Sequence, residues 1–336
     1  MHSVHEIPDN VGAIMGFAHT LPRKDTETHV NVATVDIGTN TVLLLIAEID
    51  PSGHITPLAY EQRIPRLGKG VDVHRELQQE SMQRVIHVLL EYRQIMSGYN
   101  LDVVVVFGTS AVRDAVNKSQ FADLIVRNVG FELEILSGDE EARWTYRGAL
   151  SGVPEMGKAT VVDIGGGSTE ITLGNRDRIE KRISLDIGSV RLTERFLHSD
   201  PVGEAECASM ITAIDQQLTS IRERFSDALP ALVLVGIAGT FTTLAAVEKQ
   251  LTRYSHSAVH GACLTLSEVR RQVRLFQSKT IAERKKIPGL EAKRADVILA
   301  GAYLTERIMT AFGAERIMVS DQGVRYGLLH ERLASL

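Results

Sequence analysis

Two glycine-containing turns, each between two apolar segments, are the parts of this chain best suited to phosphate chemistry. The first turn lies in Asp36–Thr41 (DIGTNT) and the second in Asp163–Glu170 (DIGGGSTE). Glycine allows backbone N–H groups to converge on an anion, and Ser or Thr hydroxyls add further donors. The predicted phosphate ligands of these two turns are Gly38, Thr39, Asn40, Gly165, Gly166, Gly167 and Ser168.

Two further glycine segments follow apolar runs that are typical of buried strands. Gly108-Thr109 comes after a run of four valines and a phenylalanine, and Gly236–Thr240 (GIAGT) comes after a second such run. We predict that Gly239 and Thr240 also contact phosphate. Arg113 follows the first of these segments, and its planar guanidinium can bind two phosphate oxygens at once.

Carboxylates next to the turns could hold a metal ion or move a proton. Asp163 and Glu170 flank the second turn, and Mg²⁺ commonly takes one or two protein carboxylates together with phosphate oxygens and water. They are the predicted metal ligands, although an aspartate there could also simply cap the loop. Asp36 occupies the equivalent place in the first turn and is a weaker candidate.

A third carboxylate stands at the predicted start of a helix. Ser137 and Glu140 have the spacing of a capping box, which places Glu141 in the first helical turn. From the residues alone, the favoured explanation is that acids in a first turn complement the helix dipole. Arg143 either binds phosphate or pairs with Asp139 on its own helix.

The elements that position these residues repeat in two halves. Each half begins with three successive strands, continues through one helix or two, and reaches a strand followed by a Gly-Thr junction, so the sequence indicates an internal duplication. Predicted strands are residues 32–35, 42–49, 55–62, 103–107, 133–136, 160–162, 171–173, 178–185, 232–236 and 316–319, and predicted helices are 75–96, 121–129, 207–225 and those beginning near Val190 and Val324.

Composition narrows the class of protein. A chain of 336 residues with 44% hydrophobic content suits two domains, and a formal net charge of −5 argues against a nucleic-acid or membrane-surface partner. Two distant cysteines, Cys207 and Cys263, favour a reducing, cytoplasmic setting without a zinc site. We predict a poorly ordered extension over residues 1–30, one α/β domain over 31–150 and a second over 151–336 with a helical C-terminal part.

Five ordered segments together resemble one family. They are residues 36–40 (DIGTN), 108–113 (GTSAVR), 137–143 (SGDEEAR), 163–170 (DIGGGSTE) and 236–240 (GIAGT), and their order is similar to that of the Ppx/GppA family of exopolyphosphatases and guanosine pentaphosphate phosphohydrolases. The resemblance covers roughly residues 31 to 330. The chain stops where longer members continue into another helical domain, so it is similar to the short, two-domain exopolyphosphatases.

The resemblance implies an α/β, actin-like (ribonuclease-H-like) fold of two duplicated lobes around a central cleft. It also implies Mg²⁺-dependent hydrolysis of the terminal phosphate of inorganic polyphosphate, with Glu141 as the catalytic base and Arg113 on phosphate. Hydrolysis of pppGpp is the alternative within the family. Outside it, an actin-superfamily kinase and a nucleotide-binding sensor share the paired loops. A homodimer is compatible with the sequence.

Three further groups of residues have two interpretations each. The basic segment of residues 63–70 either lines the approach of a long anion or forms a solvated surface, as does the pair Lys293 and Arg294. His256 and His260 have the helical i, i+4 spacing of a metal pair, yet no acid stands near them in the sequence. We interpret them as surface or core histidines.

Overall fold

The computed structural model describes residues 29–69, 71, 75–153, 157–176, 178–225 and 233–332. The predicted extension over residues 1–30 lies almost entirely outside these ranges. Contacts divide the chain into two compact units, one comprising Met1–Gly138 and Leu328–Leu336 and the other Asp139–Gly327. The helix Gly138–Leu150 groups with the second unit, whereas the division of the sequence at residue 150 placed it in the first domain.

The first unit is built on a five-stranded sheet with the order β3-β2-β1-β4-β5. The first three strands form an antiparallel meander, and β4 and β5 add in parallel on the other side of β1. β1 is central, and its four consecutive residues 32–35 are all buried, as expected for a strand that is covered on both faces. The strands are β1 Val30–Ile37, β2 Val42–Ile49, β3 Ile55–Arg63, β4 Val103–Gly108 and β5 Leu133–Ile135.

Three helices belong to this sheet. They are α1 Gln79–Met96, α2 Ser110–Arg113 and α3 Lys118–Val129. The apolar faces of α1 and α3 join the sheet in one core, in which Leu89 and Phe121 are fully buried. α3 ends at Gly130, whose left-handed backbone (φ 79°) closes the helix at low steric cost. The short α2 directly follows β4 and therefore carries Arg113 at the end of a buried strand.

The second unit repeats this arrangement in a six-stranded sheet with the order β10-β11-β9-β6-β7-β8. β6, β7 and β8 form the antiparallel meander, while β9 and β11 run parallel to β6. The strands are β6 Ala159–Ile164, β7 Thr169–Gly174, β8 Ile179–Leu185, β9 Val233–Ile237, β10 Cys263–Thr265 and β11 Arg316–Val319.

Helices cover both faces of the second sheet. α4, Gly138–Leu150, packs Tyr146 and Ala149 against Val161 and Val235 on one face. The larger core on the other face is built chiefly by α5 Ser189–Phe196, α6 Glu204–Arg224, α7 Ala238–Glu248, α9 Leu266–Gln277 and α11 Ile298–Phe312. Shorter elements are α8 His256–Val259, α10 Ile281–Arg284 and a 3-10 helix Ala292–Arg294, and the last helix is α12 Val324–Arg332.

In both sheets, the first strand of a three-strand antiparallel meander also pairs in parallel with a later strand, β1 with β4 and β6 with β9. This arrangement confirms the predicted duplicated, ribonuclease-H-like α/β fold. The edge strand β10 was not predicted, because three residues between helices give no periodic signal. Arg332 of α12 binds Glu134 at 2.8 and 2.5 Å within the first unit. No helix in the described ranges is long and apolar enough to cross a membrane.

Candidate active site

The first glycine turn connects β1 to β2 as a four-residue loop, which we call loop 1 (residues 38–41). Ile37 pairs with Val42, and the Gly38 N–H donates to Thr41 O at 2.9 Å to close the loop. The Thr39 hydroxyl lies 3.1 Å from the Ser110 hydroxyl at the start of α2. Loop 1 is thereby fixed to the end of β4 by a side-chain hydrogen bond.

A second segment of the first unit holds loop 1 from behind. This segment, strap 1 (residues 66–68), donates from Gly68 N to Thr39 O at 2.8 Å and from Arg66 N to Asn40 O at 3.1 Å. Arg66 adopts φ 55°, a left-handed conformation that is uncommon for a residue with a side chain. Such strain is characteristic of functional segments, where surrounding contacts maintain it.

The second glycine turn connects β6 to β7 in the same way and is called loop 2 (residues 165–168). Gly165 N donates to Ser168 O at 3.0 Å, which is the same closing hydrogen bond as in loop 1. Ile164 pairs with Thr169, so both loops contain four residues between the paired strands. The sequence predicted both turns and their flanking strands, and the structure places them at corresponding ends of the two sheets.

Loop 2 is held by strap 2 (residues 186–191), which runs from the end of β8 into the first turn of α5. Ser189 N donates to Gly165 O at 3.0 Å, and Val190 N and Arg191 N donate to Gly166 O at 2.9 and 3.0 Å. The buried Thr169 hydroxyl donates to Ile187 O at 2.6 Å. Loop 2 and strap 2 therefore form a single hydrogen-bonded unit.

The predicted metal ligands Asp163 and Glu170 lie directly opposite each other on β6 and β7. Side chains of opposed residues share one face of the sheet with Cβ atoms about 5 Å apart, and two like charges in this position repel each other. A divalent cation would relieve that repulsion, so the pair fits a magnesium site. Within the described ranges no group of three His, Cys, Asp or Glu residues could hold a metal ion. Two carboxylates suffice for Mg²⁺ if phosphate and water complete its shell.

Glu170 has a further contact that orients it. The Ser184 hydroxyl on β8 donates to Glu170 Oε1 at 2.8 Å. This hydrogen bond engages one carboxylate oxygen and leaves the direction of the carboxylate defined by a neighbouring strand, as is usual for residues that ligate metals.

The third predicted phosphate segment begins α7. Ala238 has φ 69°, an outlier for alanine, immediately before Gly239 and Thr240. The first N–H groups of a helix have no partner within the helix, so this turn can present donors to an anion. Thr240 itself is buried against Gly301 of α11, so its side chain packs within the core and only its backbone suits the predicted role.

Arg294, from the basic pair noted in the sequence, lies against Gly239. A Cβ built on Gly239 would come within 2.1 Å of Arg294 Nη1, so the guanidinium occupies the space that a side chain would fill. Arg294 Nε also lies 3.5 Å from Glu291 Oε2, and its side chain is 11% exposed. The structure thus brings a cation to the third glycine segment.

Arg113 lies at the end of α2 in the first unit. Its Nη1 donates to Leu136 O at 3.2 Å, and its Nε lies 3.6 Å from Asp114 Oδ1. The guanidinium is thereby directed toward the segment that leads from β5 into α4. Its phosphate-binding role stays a prediction.

Glu141 lies in the first turn of α4 and is half-buried. Asp139 and Glu140 precede it in the same turn, so three acids begin this helix. Asp139 accepts a hydrogen bond from Arg182 of β8 at 2.8 Å, a partner that the sequence did not suggest. Arg143 lies exposed on the same helix. These contacts do not test the role of Glu141 as a base, which stays a prediction.

Two other predicted groups acquire partners in the fold. Arg63 of the basic segment pairs with Glu61 and Glu91, so its charge is neutralised on β3 and α1. His256 and His260 both direct Nδ1 to the buried carboxylate of Asp321, at 2.5 and 3.3 Å. The acid that the sequence lacked near these histidines comes from the segment after β11, about sixty residues later.

Several residues around the loops were missed in the sequence. Ser110, Gly68, Gly188 and Thr169 each contact a loop or its strap. The available signal was weak: Gly68 lies in the basic segment of residues 63–70, and Gly188 is an isolated glycine, which can mark a close backbone approach. Their partners are known only after folding.

The two sheets and the matching turns between their strands define an α/β protein with two ribonuclease-H-like halves. Within that class, the chain belongs to the Ppx/GppA phosphatase family, whose sequence profile matches residues 45–336. The predicted family is confirmed, and so is the predicted class of enzyme, a hydrolase of phosphoric anhydrides. Loop 1 lies just before the matched range.

Individual relatives extend this comparison. Exopolyphosphatase 2 of Mycobacterium tuberculosis is 34% identical over 319 residues, covering 88% of this chain and 97% of that protein. The bifunctional 3-dehydroquinate synthase/phosphatase of Fusobacterium nucleatum is 34% identical over 307 residues, and the chain spans 46% of its length. A guanosine-5'-triphosphate,3'-diphosphate pyrophosphatase of Vibrio cholerae is 27% identical over 90% of this chain and 59% of that protein.

A solved structure agrees over nearly the whole chain. The crystal structure of an exopolyphosphatase from Cytophaga hutchinsonii has a TM-score of 0.82 at 29% identity, covering 91% of this chain and 98% of that one. The fold described above therefore corresponds to nearly all of that solved chain.

Proposed function

We propose that this chain is an exopolyphosphatase, which removes the terminal phosphate of inorganic polyphosphate and releases orthophosphate. The observation that carries the proposal is the match in extent as well as sequence: Exopolyphosphatase 2 of Mycobacterium tuberculosis corresponds to the chain over 97% of its own length. The two glycine loops, the opposed carboxylates and the arginines are the groups that such a reaction needs.

The substrate carries one negative charge on each internal phosphate, and the loops supply donors for it. Loop 1 provides Thr39 and Asn40, loop 2 provides Gly166, Gly167 and Ser168, and the start of α7 provides Gly239. The N–H groups of Gly38 and Gly165 already donate to Thr41 O and Ser168 O, so these two glycines shape the loops. Arg113 and Arg294 add positive charge. Affinity is expected to rise with chain length until the cationic positions are filled, and to fall as salt screens the charges.

Asp163 and Glu170 are the residues proposed to hold Mg²⁺. When bound, the ion would neutralise phosphate charge and so lower the barrier to attack by water. The protein's own part is to fix the two carboxylates opposite each other, which the β6–β7 pairing achieves, and to orient Glu170 through Ser184.

Glu141 is the proposed acceptor of the water proton. As the water oxygen bonds to the terminal phosphorus, the bond from phosphorus to the bridging oxygen breaks, and a proton passes from the water to the carboxylate. Replacing Glu141 with alanine is expected to lower kcat by about 10²- to 10⁴-fold, the usual contribution of a positioned base. Steady-state kinetics measures this, with Arg147→Ala on the exposed side of the same helix as the control. A Glu141→Ala variant with normal kcat would exclude this residue from the reaction.

A phosphate-release panel tests the substrate. The purified protein is incubated in Mg²⁺ with short polyphosphate, long polyphosphate, pppGpp and ATP, and orthophosphate is measured over time. We expect the highest kcat/KM with polyphosphate, and gel analysis should show chains shortened from the end. Equal release from pppGpp and polyphosphate would contradict the preference, and absence of release from every anhydride would contradict the hydrolase.

Hydrolysis of pppGpp is the second candidate, supported by the Vibrio cholerae relative. The chain matches that relative at lower identity and over only 59% of the relative's length. The higher identity and fuller coverage of Exopolyphosphatase 2 therefore favour polyphosphate as the substrate. Phosphate transfer from ATP only in the presence of an acceptor would point instead to a kinase, and tight nucleotide binding without turnover would point to a sensor.

A further inference from the structure

Strap 2 controls the direction in which loop 2 presents its hydrogen-bond donors. Its three N–H groups, from the first turn of α5, all donate to the carbonyls of Gly165 and Gly166. The peptide bonds that follow these carbonyls are trans, since the only cis bond in the described ranges is Asp200-Pro201. In a trans peptide, C=O and N–H point in opposite directions. The N–H groups of Gly166 and Gly167 therefore point away from strap 2.

The same contacts place the positive end of a helix behind the loop. The first N–H groups of a helix carry a partial positive charge, which normally attracts an anion directly. In α5 the three donors of the first turn are taken up by loop carbonyls instead. Hydrogen bonds in series polarise one another, so the N–H groups on the far side of these two peptides become better donors to an anion.

This arrangement requires glycine at position 188. A Cβ on Gly188 would lie 2.4 Å from Gly166 O and 2.7 Å from Gly167 N, and both obstacles are backbone atoms of the loop. The backbone of Gly188 (φ −145°, ψ 169°) is nevertheless ordinary for any residue. The glycine is needed because the strap and the loop approach closely, and not because of its conformation.

We propose that Gly188 is a positioning residue for substrate, and that strap 2 fixes the N–H groups of Gly166 and Gly167 on the terminal phosphates of a polyphosphate. The inference rests on the proposed function, because it concerns the same loop. It adds a residue that lies outside the glycine motifs and contacts the loop from the side opposite to these donors.

The test measures binding rather than turnover. Inorganic tripolyphosphate is titrated calorimetrically into the full chain in Mg²⁺ buffer, with Glu141→Gln present in every variant so that the probe is not consumed. Gly188→Ala is expected to weaken binding about tenfold or more, because hydrogen bonds to a charged ligand are misdirected. Gly203→Ala is the matched control: Gly203 precedes α6 as Gly188 precedes α5, and its added Cβ would meet Glu206 Oε2 at an ordinary 3.5 Å.

A second pair of variants loosens the strap without adding bulk. Thr169→Val removes the hydroxyl that holds Ile187 O and should weaken binding less than Gly188→Ala does. Thr160→Val, on the neighbouring strand β6, removes a buried hydroxyl with no hydrogen-bond partner among the described residues and should leave binding unchanged. This pair decides the question if Gly188→Ala does not fold.

The outcomes separate the two proposals. A folded Gly188→Ala that binds tripolyphosphate like its parent, or equal binding by Thr169→Val and Thr160→Val, overturns the role of strap 2 while leaving the exopolyphosphatase proposal intact. If the parent with wild-type loops binds no tripolyphosphate, both proposals fail. If tripolyphosphate binds as expected but the enzyme with Glu141 releases no phosphate, only the proposed function fails.

Discussion

Loop 1 and loop 2 have the same backbone frame but differ in the side chains that it carries. Each is a four-residue connection closed by one hydrogen bond, Gly38 N to Thr41 O or Gly165 N to Ser168 O. Loop 1 contains Thr39 and Asn40 at its centre, where loop 2 has two glycines. In the two units, duplication has kept the turn and changed its chemistry.

The straps differ by one peptide in register. Strap 2 binds the carbonyls of the first and second loop residues, whereas strap 1 binds those of the second and third, Thr39 and Asn40. By the geometry of trans peptides, loop 1 directs the N–H groups of Asn40 and Thr41 away from its strap. Thr41 was not among the predicted ligands, and this comparison adds its backbone N–H as a candidate.

The strands beside the loops also differ. Asp163 faces Glu170 across β6 and β7, but the residue facing Asp36 across β1 and β2 is Leu43. One unit thus has a pair of opposed carboxylates, and the other has a single one. A metal site is accordingly proposed in the second unit alone.

Among the differences between the two loops, the largest expected effect separates these two aspartates. Asp163→Asn should lower kcat on polyphosphate by about 10²- to 10³-fold and shift half-saturation to higher Mg²⁺, because a proposed metal ligand is lost. Asp36→Asn should lower kcat by less than about tenfold and leave the Mg²⁺ dependence unchanged. Mg²⁺ titrations of phosphate release measure both effects. Equal shifts in Mg²⁺ dependence for the two variants would show that the loops are not specialised in this way.

Much of the frame behind this comparison could be predicted from the sequence. The strand–turn–strand pattern around Gly38 and around Gly165 is local, since apolar runs of β-branched residues stop at glycine-rich turns. The two meanders and the strand at residues 103–107 were predicted from such runs. The final helix from Val324 was also predicted from the sequence. The five ordered motifs then supplied the family, which the profile match confirmed.

The straps could not be predicted, because each is defined by hydrogen bonds to a loop that is distant in the sequence. Nothing near Gly188 in the sequence indicates that its Cα packs closely against the backbone of Gly166, which lies twenty-two residues earlier in the chain. The Asp321 carboxylate is likewise paired with histidines that precede it by about sixty residues. Such contacts depend on how the strands and helices pack together, and a single sequence does not indicate which distant segments meet.

An effect of intermediate size is expected from the different atoms that the glycines of the two straps contact, a side chain in strap 1 and the loop backbone in strap 2. A Cβ on Gly68 would come within 2.3 Å of Thr39 Cγ2, which is a side-chain atom, whereas the Cβ of residue 188 would meet backbone. Gly68→Ala should therefore raise KM for polyphosphate by about tenfold. The double variant Gly68→Ala with Thr39→Ser should recover most of that loss, since serine keeps the hydroxyl toward Ser110 and lacks the methyl group.

A double-mutant cycle on KM measures this coupling. Thr39→Ser alone is the control and should change KM little. Strictly additive effects of the two substitutions would mean that the Thr39 methyl is not the obstacle, and that strap 1 acts on loop 1 through its backbone as strap 2 acts on loop 2.

The smallest expected effect concerns the segment that follows β11 in the second unit. After β11, the buried Asp321 accepts from His256 and His260. Burial alone would raise the pKa of Asp321, but the two histidines hold it below its usual value of 3.8. The hydrogen bond with Asp321 in turn raises the pKa of His260 above 6.5, against the opposing effect of burial.

These shifts define a pH range for the stability of the second unit. The raised pKa of His260 stabilises the fold fully below about pH 6.5, and this contribution disappears as the pH rises through the pKa of the folded state. The lowered pKa of Asp321 stabilises above about pH 3.8 and is lost as the pH falls further. Thermal unfolding should therefore show a Tm that declines by a few degrees as the pH rises from 6 to 8. Asp321→Asn should lower Tm at pH 6 and flatten that decline, because the amide no longer favours charged histidine. A decline of the same size in Asp321→Asn would assign the pH dependence to groups other than this cluster of Asp321 with two histidines.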